Sequence, residues 1–312
     1  MLAKIEMNLL ERISVISAPS NLGLVPLPNG NLSGVTETPE ALIDAGLLQK
    51  LDAEFQSKLP VPAYERKRDT ETYILNPYPI RDFALSVAIE VAKAITNDRF
   101  PLVLGGDCSI LLGNMLALKR LGRYGLFFLD GHSDFYQPSP DLLDSGVAGM
   151  DLAFATGRGP DVLSNISGEK PLVRDEDVIV FGFRDMEEAQ RLKMPKLSET
   201  KMTTYDLNQV REMGIEESVS RGLAKLAEND LDGFWIHVDA DVLDDEIMPA
   251  VDSRQPGGLT FEEFTHILQM LAGSNCAVGM HVGIFDPHMD PDKRIASRFA
   301  SAIAEGLRPD LQ

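Results

Sequence analysis

Two apolar runs that end abruptly in acidic residues constrain the fold of this chain more than any other feature. The runs cover residues 126–129 and 233–238, and a single histidine, His237, interrupts the second. Polar side chains follow the runs at alternate positions: Asp130, His132, Asp134, Asp239 and Asp241. Short apolar runs of this kind are typical of strands buried on both faces of a parallel sheet, where ligands bind beyond the carboxyl ends of the strands. The pattern therefore predicts a polar site at one edge of a sheet covered by helices.

The remainder of the sequence alternates predicted strands with predicted helices of ordinary length. Further strands are expected at residues 13–18, 100–104, 177–182, 203–205 and 277–282. Helices are expected at residues 38–47, 80–95, 208–228, 260–271 and 292–307, and another ends at Leu121. No linker, repeat or low-complexity segment interrupts the series. We therefore predict one α/β domain over residues 1–312, built on a mainly parallel sheet flanked by helices.

Two of the predicted helices carry clear start signals. Thr38 is expected to cap a helix in which Pro39 occupies the first position, and Thr260 with Glu263 forms a capping-box pattern. Residues 58–78 give mixed signals and are not assigned. The long segment 135–157 is expected to be functional or mobile, since its length exceeds that of a simple connection.

The charge of the chain narrows the classes of partner. The 312 residues carry a formal net charge of −19 at pH 7, which argues against nucleic acid or an anionic membrane because both are bound through Lys and Arg. Only two cysteines occur, Cys108 and Cys276, so a reducing cytoplasm is the expected location, and a disulfide between them is without support. No export signal and no apolar run of membrane-spanning length is found.

The acids and the histidine that follow the two runs form a candidate metal site. Alternation can bring Asp130, His132 and Asp134 toward one point, and carboxylate oxygens with an imidazole nitrogen suit a divalent cation. Taken alone, this motif fits loop-capping acids and a surface histidine equally well. Asp107 or Cys108, after the preceding strand, could add another ligand. Two ions that share carboxylates account for so many acids better than one hexacoordinate ion does.

Several motifs occur in the order found in a known family. Gly-Gly-Asp-Cys-Ser at residues 105–109 resembles its Gly-Gly-Asp-His-Ser, and Asp-Gly-His-Ser-Asp at residues 130–134 resembles its Asp-Ala-His-x-Asp. Asp-Ala-Asp at 239–241 and Pro-Gly-Gly-Leu-Thr at 256–260 follow in the same order. The chain thus resembles the arginase, agmatinase and formiminoglutamase family of manganese-dependent ureohydrolases. The resemblance implies a three-layer α/β/α arginase-type fold, one or two Mn²⁺ ions, and a homo-oligomer that is a trimer or a hexamer.

The resemblance also implies a role for each candidate ligand. Two carboxylates bridge the ions, one carboxylate binds the first ion, and a histidine with a carboxylate binds the second: Asp130 and Asp239, Asp134, and His132 with Asp241. The remaining ligand of the first ion is a histidine in the family and Cys108 here. Because a thiol suits Mn²⁺ poorly, the first site is expected to be weak, or to hold another divalent metal with Cys108 as thiolate. An inert buried cysteine beside the site is the alternative that we favour.

Two other departures concern proton transfer and the substrate. Family members often carry Asn-x-His-Gly in the long loop, whereas residues 145–151 contain no histidine. In the family, a glutamate binds the guanidinium of the substrate, and this glutamate aligns with Ile284. Arginine bound here would therefore lose a charge-assisted hydrogen bond. His237 lies two residues before Asp239 and is a candidate proton donor or hydrogen-bonding partner, with a core histidine as the equal alternative. His237 and Asp134 are our candidate catalytic residues.

Several further side chains are weaker candidates. Asp185 and Glu187 match family positions near the amino end of an amino-acid substrate. Arg254 could receive an anionic substrate group, although a solvated loop arginine is the simpler account. Arg184 is expected to be a structural ion-pair partner. His281 and His288 could line the pocket, although a structural or surface role is expected for each.

These features predict a metal-dependent hydrolase of linear C–N bonds in a small amidine-like or guanidine-like molecule. A modified guanidine such as N-hydroxyarginine fits better than arginine or agmatine, because a less basic head group depends less on the missing glutamate. A family branch with such substrates also resembles this chain in carrying Cys in the Gly-Gly-Asp-Cys motif. One alternative is a family member that has lost catalysis and keeps a metal-binding or structural role. Another is a mononuclear enzyme that uses only the second site.

Overall fold

The computed structural model describes residues 12–142 and 146–308, and at its centre lies one sheet of eight parallel strands. The strands are β1 (Ile13–Ala18), β2 (Glu54–Lys58), β3 (Phe100–Gly105), β4 (Tyr124–Leu129), β5 (Val178–Phe181), β6 (Thr203–Tyr205), β7 (Gly233–Asp239) and β8 (Ala277–Gly283). Their order across the sheet is β2-β1-β3-β8-β7-β4-β5-β6. The predicted α/β class with a parallel sheet is confirmed.

Helices cover both faces of this sheet. They are α1 (Thr38–Asp44), α2 (Leu47–Leu51), α3 (Pro77–Thr96), α4 (Leu111–Leu121), α5 (Asp151–Ala155), α6 (Asp161–Ser164), α7 (Met186–Arg191), α8 (Leu207–Met213), α9 (Ile215–Ala227), α10 (Phe261–Gly273) and α11 (Arg294–Gly306). Alternate strand residues enter opposite cores: Phe127 and Leu129 of β4 pack on the side of α10 and α11, whereas Leu126 and Phe128 pack on the side of α3 and α4. Because the central strands are apolar on both faces, both faces must be covered, and three layers result.

The sheet topology brings distant strand ends together. β4 and β7 are neighbours, with Leu129 opposite Val238, although more than a hundred residues separate them in the chain. β8 follows on the other side of β7, and β3 lies next to β8. All four strands are parallel, so the residues that follow them meet at the same edge of the sheet.

Some sequence expectations need correction. The helix expected at 208–228 is two helices, because Gly214 has a φ of +90° and breaks the helical path between α8 and α9. Thr38 does not cap α1: the helix continues from a 3₁₀ turn, and the Thr38 hydroxyl donates to the Phe285 carbonyl instead. The Thr260–Glu263 capping box is confirmed. Strand β2 lies in a polar segment at the sheet edge and has no apolar signature.

The two cysteines do not form a disulfide. Cys108 is a buried free thiol, and Cys276 is an exposed free thiol. Among the described residues, no helix combines the length and apolar character needed to cross a bilayer.

Candidate metal centre

The polar residues predicted from the sequence converge at the carboxyl edge of β4 and β7. Four of them are carboxylates that are at most 6% exposed: Asp130, Asp134, Asp239 and Asp241. Buried carboxylates are normally paired with cations or saturated with hydrogen bonds, because isolated charge is costly to desolvate. Their convergence makes this edge a candidate cation site.

One group of ligand atoms matches the shell expected for the second ion. An imidazole nitrogen of His132 and one oxygen each of Asp130 and Asp241 lie within 4.8 Å of one another. His132 Nδ1 is 2.9 Å from Asp241 Oδ2, and the backbone amide of His132 donates to Asp130 Oδ1 at 2.7 Å. Burial lowers the pKa of His132, but the Asp241 charge outweighs this and raises the pKa to about 10. In this arrangement His132 serves as a counter-ion; a bound divalent cation would take over that role.

A second group corresponds to the first ion. Cys108 Sγ and one oxygen each of Asp130 and Asp134 also lie within 4.8 Å of one another. The thiol donates to Asp239 Oδ2 at 2.9 Å, and the other Asp239 oxygen accepts from the Asp241 amide at 2.7 Å. Burial, reinforced by the charge of Asp239, raises the pKa of the Cys108 thiol well above its usual value. The sulfur is therefore a proton donor in this arrangement.

The donor set fits Mn²⁺ as the family resemblance implies. The oxygens are hard ligands, which Mn²⁺ prefers, and one imidazole is compatible with it. Burial, followed by the repulsion of neighbouring carboxylates, raises the pKa of Asp130, Asp134 and Asp239 well above the ordinary range. A bound divalent cation would remove this penalty by favouring the ionised forms.

A chain of hydrogen bonds behind the site fixes the orientation of Asp130. Trp235 Nε1 donates to His281 Nδ1 at 2.7 Å, His281 Nε2 is 2.6 Å from His237 Nδ1, and His237 Nε2 is 3.0 Å from Asp130 Oδ2. Because an indole can only donate, each successive ring must accept at Nδ1 and donate at Nε2. Burial lowers the pKa of His237 to about 3 and that of His281 well below its usual value, so both rings are neutral. His237 therefore directs an N–H at a candidate bridging carboxylate.

The substitution Trp235→Phe tests this chain. We expect it to cost about 1–3 kcal/mol of unfolding free energy, because the buried His281 Nδ1 loses its donor. Urea denaturation of the single variants and of the Trp235→Phe, His281→Phe double variant measures the coupling. A coupling of about 0.5–3 kcal/mol is expected for directly hydrogen-bonded residues, and additive single effects would show that the chain has no energetic role.

A pocket of about 220 Å³ opens above the acids. Its lining includes His132, Asp134, Asp239 and Asp241, so both candidate ion groups face it. Ile284 also lines it and is buried with a φ of +70°, a strained conformation for a β-branched residue. Ile284 thus occupies the position that aligns with the family glutamate that binds the substrate guanidinium.

The expected substrate residues are only partly at this pocket. Asp185 lines it and accepts from Ser133 Oγ at 2.7 Å. Glu187 does not line it; Glu188, the next residue on α7, does, because one helical position turns a side chain by about 100°. Arg254 is exposed and bonds Asp245 instead of facing the pocket. Glu187 therefore does not make the expected pocket contact, and Arg254 has the position of a solvated loop arginine, which was the simpler account of it.

Three acidic or phenolic side chains at the site were missed by sequence reasoning. Asp252 lines the pocket, where desolvation and the charge of Asp241 raise its pKa to about 6. Tyr136 also lines it, and desolvation and Asp185 raise the pKa of its phenol. Asp151 is fully buried next to Cys108. All three lie in segments without a periodic pattern of apolar residues. The one sequence signal that they belong to the site was that they follow strands β4 and β7.

Other candidates have structural roles. Asp107 accepts from Ser20 Oγ and from the Ser109 amide, so it caps the turn after β3. His288 is a surface residue 3.0 Å from Glu37 Oε1. Arg184 donates through Nη2 to backbone carbonyls around the site and has no carboxylate ion pair among the described residues, which corrects the expected ion pair.

Eight parallel strands with buried acids at their carboxyl edge define an α/β protein with a candidate metal centre. A family model described as "Arginase family" matches residues 11–307, and the chain belongs to that family. It is 28% identical to the arginase of Staphylococcus aureus strain MSSA476 over 299 residues, which cover 93% of this chain and 95% of that protein. The structure of the arginase from Bacillus caldovelox is similar with a TM-score of 0.83 at 26% identity, covering 96% of this chain and 99% of that one. A formimidoylglutamase from Bacillus subtilis shares the fold, with a TM-score of 0.69 at 16% identity, covering 98% of this chain and 92% of that one. The expected family and arginase-type fold are confirmed.

Proposed function

We propose that this protein is a metal-dependent hydrolase that cleaves a linear C–N bond in a small amidine-like or guanidine-like molecule. The observation that carries the proposal is the convergence of four ligand side chains on one pocket: His132, Asp134, Asp239 and Asp241. Asp130 belongs to both candidate ion groups beside them. Membership of the arginase family supports this class of reaction. The proposal does not extend to arginine itself.

The residues of the chain have separable tasks in this reaction. When bound, divalent ions would lower the pKa of water and polarise the substrate. Asp130 and Asp239 would be shared between the two ion positions, and His237 would hold Asp130 in place through its Nε2–H. Asp134 faces the pocket and would accept a hydrogen bond from the attacking water. Of the three roles considered for His237, the hydrogen bonds at both ring nitrogens support that of a hydrogen-bonding partner of a metal ligand.

The charge of the pocket favours a substrate with a cationic group away from the reacting carbon. Its acids beyond the candidate ligands are Asp185, Glu188 and Asp252, and no Lys or Arg among the described residues lines it. Ile284 offers no charge to the reacting end. A guanidine of reduced basicity, such as an N-hydroxyguanidine, needs no carboxylate there, whereas an ordinary guanidinium does.

The substrate preference is tested by Ile284→Glu. We expect the Mn²⁺-loaded wild type to hydrolyse N-hydroxyguanidines or amidines faster than arginine and agmatine. A charged hydrogen bond contributes about 1.5–3 kcal/mol, so Ile284→Glu should raise kcat/KM for arginine or agmatine by about 10–100-fold relative to the modified guanidine. Product release across a panel of such compounds is measured, and Ile284→Gln, which has the same length without charge, is the matched control.

The same panel separates the proposal from a non-catalytic role. A protein that binds its full complement of metal and releases no product from any linear amidine would contradict the proposal and favour a lapsed family member. A cytoplasmic location and assembly into a trimer or hexamer remain predictions from the sequence.

A further inference from the structure

Asp151 is a buried carboxylate that the family motifs do not account for. It is the first residue of α5, within the long connection between β4 and β5, and its side chain is 0% exposed. The adjacent residue Met150 lines the pocket. The long connection thus returns an acid to the floor of the site.

This carboxylate has no conventional partner. Neither oxygen accepts a hydrogen bond of acceptable geometry from the described residues, although the Leu152 amide is close. One oxygen of Asp134 and one oxygen of Asp151 each lie within 4.8 Å of Cys108 Sγ, so the two carboxylates are neighbours. Two buried carboxyl groups this close must share a proton or a cation, because two adjacent buried negative charges repel strongly.

The surroundings of Asp151 coincide with the position of the first ion. One of its oxygens, Cys108 Sγ and a ring nitrogen of His237 lie within 4.8 Å of one another. Cys108 Sγ also belongs to the group formed with Asp130 and Asp134. The two groups therefore share an atom, and Asp151 adds a carboxylate where the ligands of the first ion converge.

The sulfur and nitrogen atoms near the position of the first ion are already engaged in hydrogen bonds, so an oxygen ligand is still needed there. The Cys108 thiol uses its hydrogen in the bond to Asp239, and both ring nitrogens of His237 are engaged by Asp130 and His281. Mn²⁺ prefers carboxylate oxygen over thiol sulfur. We propose that Asp151 is a ligand of the first ion and supplies the donor that the histidine-to-Cys108 replacement removed.

The proposal is tested by metal content, which does not depend on knowing the substrate. Wild-type protein and Asp151→Asn are stripped, reloaded with Mn²⁺, dialysed and analysed by elemental mass spectrometry and Mn²⁺ titration. We expect Asp151→Asn to lose one ion per chain or to weaken the weaker site at least 10-fold, while Cys108→Ala retains the wild-type content. Asp177→Asn, which disrupts a buried ion pair with Arg123, is the matched control and should leave Mn²⁺ binding unchanged.

A thermal measurement keeps the test informative if the loaded variant is unstable. Metal-free Asp151→Asn should unfold at a higher temperature than metal-free wild type, because the repulsion between two adjacent buried carboxyl groups is removed. The rise in the unfolding temperature of Asp151→Asn on adding Mn²⁺ should be smaller than that of the wild type. Unchanged Mn²⁺ affinity and an unchanged thermal gain in Asp151→Asn would overturn the assignment. Full metal content with no turnover of any amidine would contradict the proposed function and leave the assignment intact.

Discussion

Asp239→Asn is expected to reduce the hydrolysis of the best amidine substrate by about 10³-fold or more, since metal ions contribute several kcal/mol of transition-state stabilisation. Asp239 is 3% exposed and lies between the two ion groups, where one oxygen accepts from Cys108 and the other from the Asp241 amide. Asparagine has nearly the same shape but replaces one anionic oxygen with an amide NH₂, which cannot bind a cation. The variant is measured by kcat/KM and by Mn²⁺ content.

A capping acid provides the control for this variant. Asp286 follows β8 and is 2% exposed, but its oxygens accept from Ser33, Gly34 and His288. Asp286→Asn keeps only one acceptor oxygen, so it should lower stability while retaining Mn²⁺ content. Equal metal loss in both variants would indicate that the effect of Asp239→Asn arises from destabilisation and not from a lost ligand.

Removal of divalent cations is expected to destabilise the protein, and the loss should grow between pH 7 and pH 8.5. His132 has a pKa raised to about 10 in the folded state, so its contribution is present below about pH 6.5 and is lost as the pH rises toward 10. The raised pKa values of Asp130, Asp134 and Asp239 act in the same direction, because each binds more protons when folded than when unfolded. His237 has a lowered pKa of about 3 and is neutral throughout this range.

The measurement is thermal unfolding with chelator and with Mn²⁺ at both pH values. Saturating Mn²⁺ at about 1,000 times its Kd should raise Tm by roughly 5–10 °C. The rise in Tm should be larger at pH 8.5, where the metal-free protein is less stable and the ligands lose their protons more readily. The Asp239→Asn variant should show little gain at either pH, and a wild-type gain that is independent of pH would contradict the electrostatic account.

The sequence predicted the acids at strand ends well because their positions depend on a local pattern. An apolar strand that ends in Asp130 or Asp239 must place that carboxylate at the sheet edge, whatever the rest of the chain does. No such pattern was available for Glu187, which was inferred from the family resemblance, or for Arg254, because a position in a short helix or an irregular loop does not fix the direction of a side chain. Glu188 lines the pocket instead of Glu187, and Arg254 bonds Asp245.

His237 illustrates an intermediate case. Strand alternation placed it on the same face as Asp239, but the sequence left three roles open. Its role depends on His281 and Trp235, and His281 is on a different strand that is adjacent only in the folded sheet. The direction of the hydrogen bonds follows from the indole donor at the end of the chain, which no local pattern indicates.

By itself the sequence determined the parallel α/β architecture, the family, and the two strand ends that carry Asp130, His132, Asp134, Asp239 and Asp241. These features arise from short-range apolar patterning and from motifs of a few residues. Only the tertiary structure decided that Cys108 donates to Asp239 and that Asp151 returns to the same place, with no hydrogen-bond donor to it in the part of the chain that is described. Such contacts join residues far apart in the chain, and they depend on the path of a long connection that has no periodicity of its own.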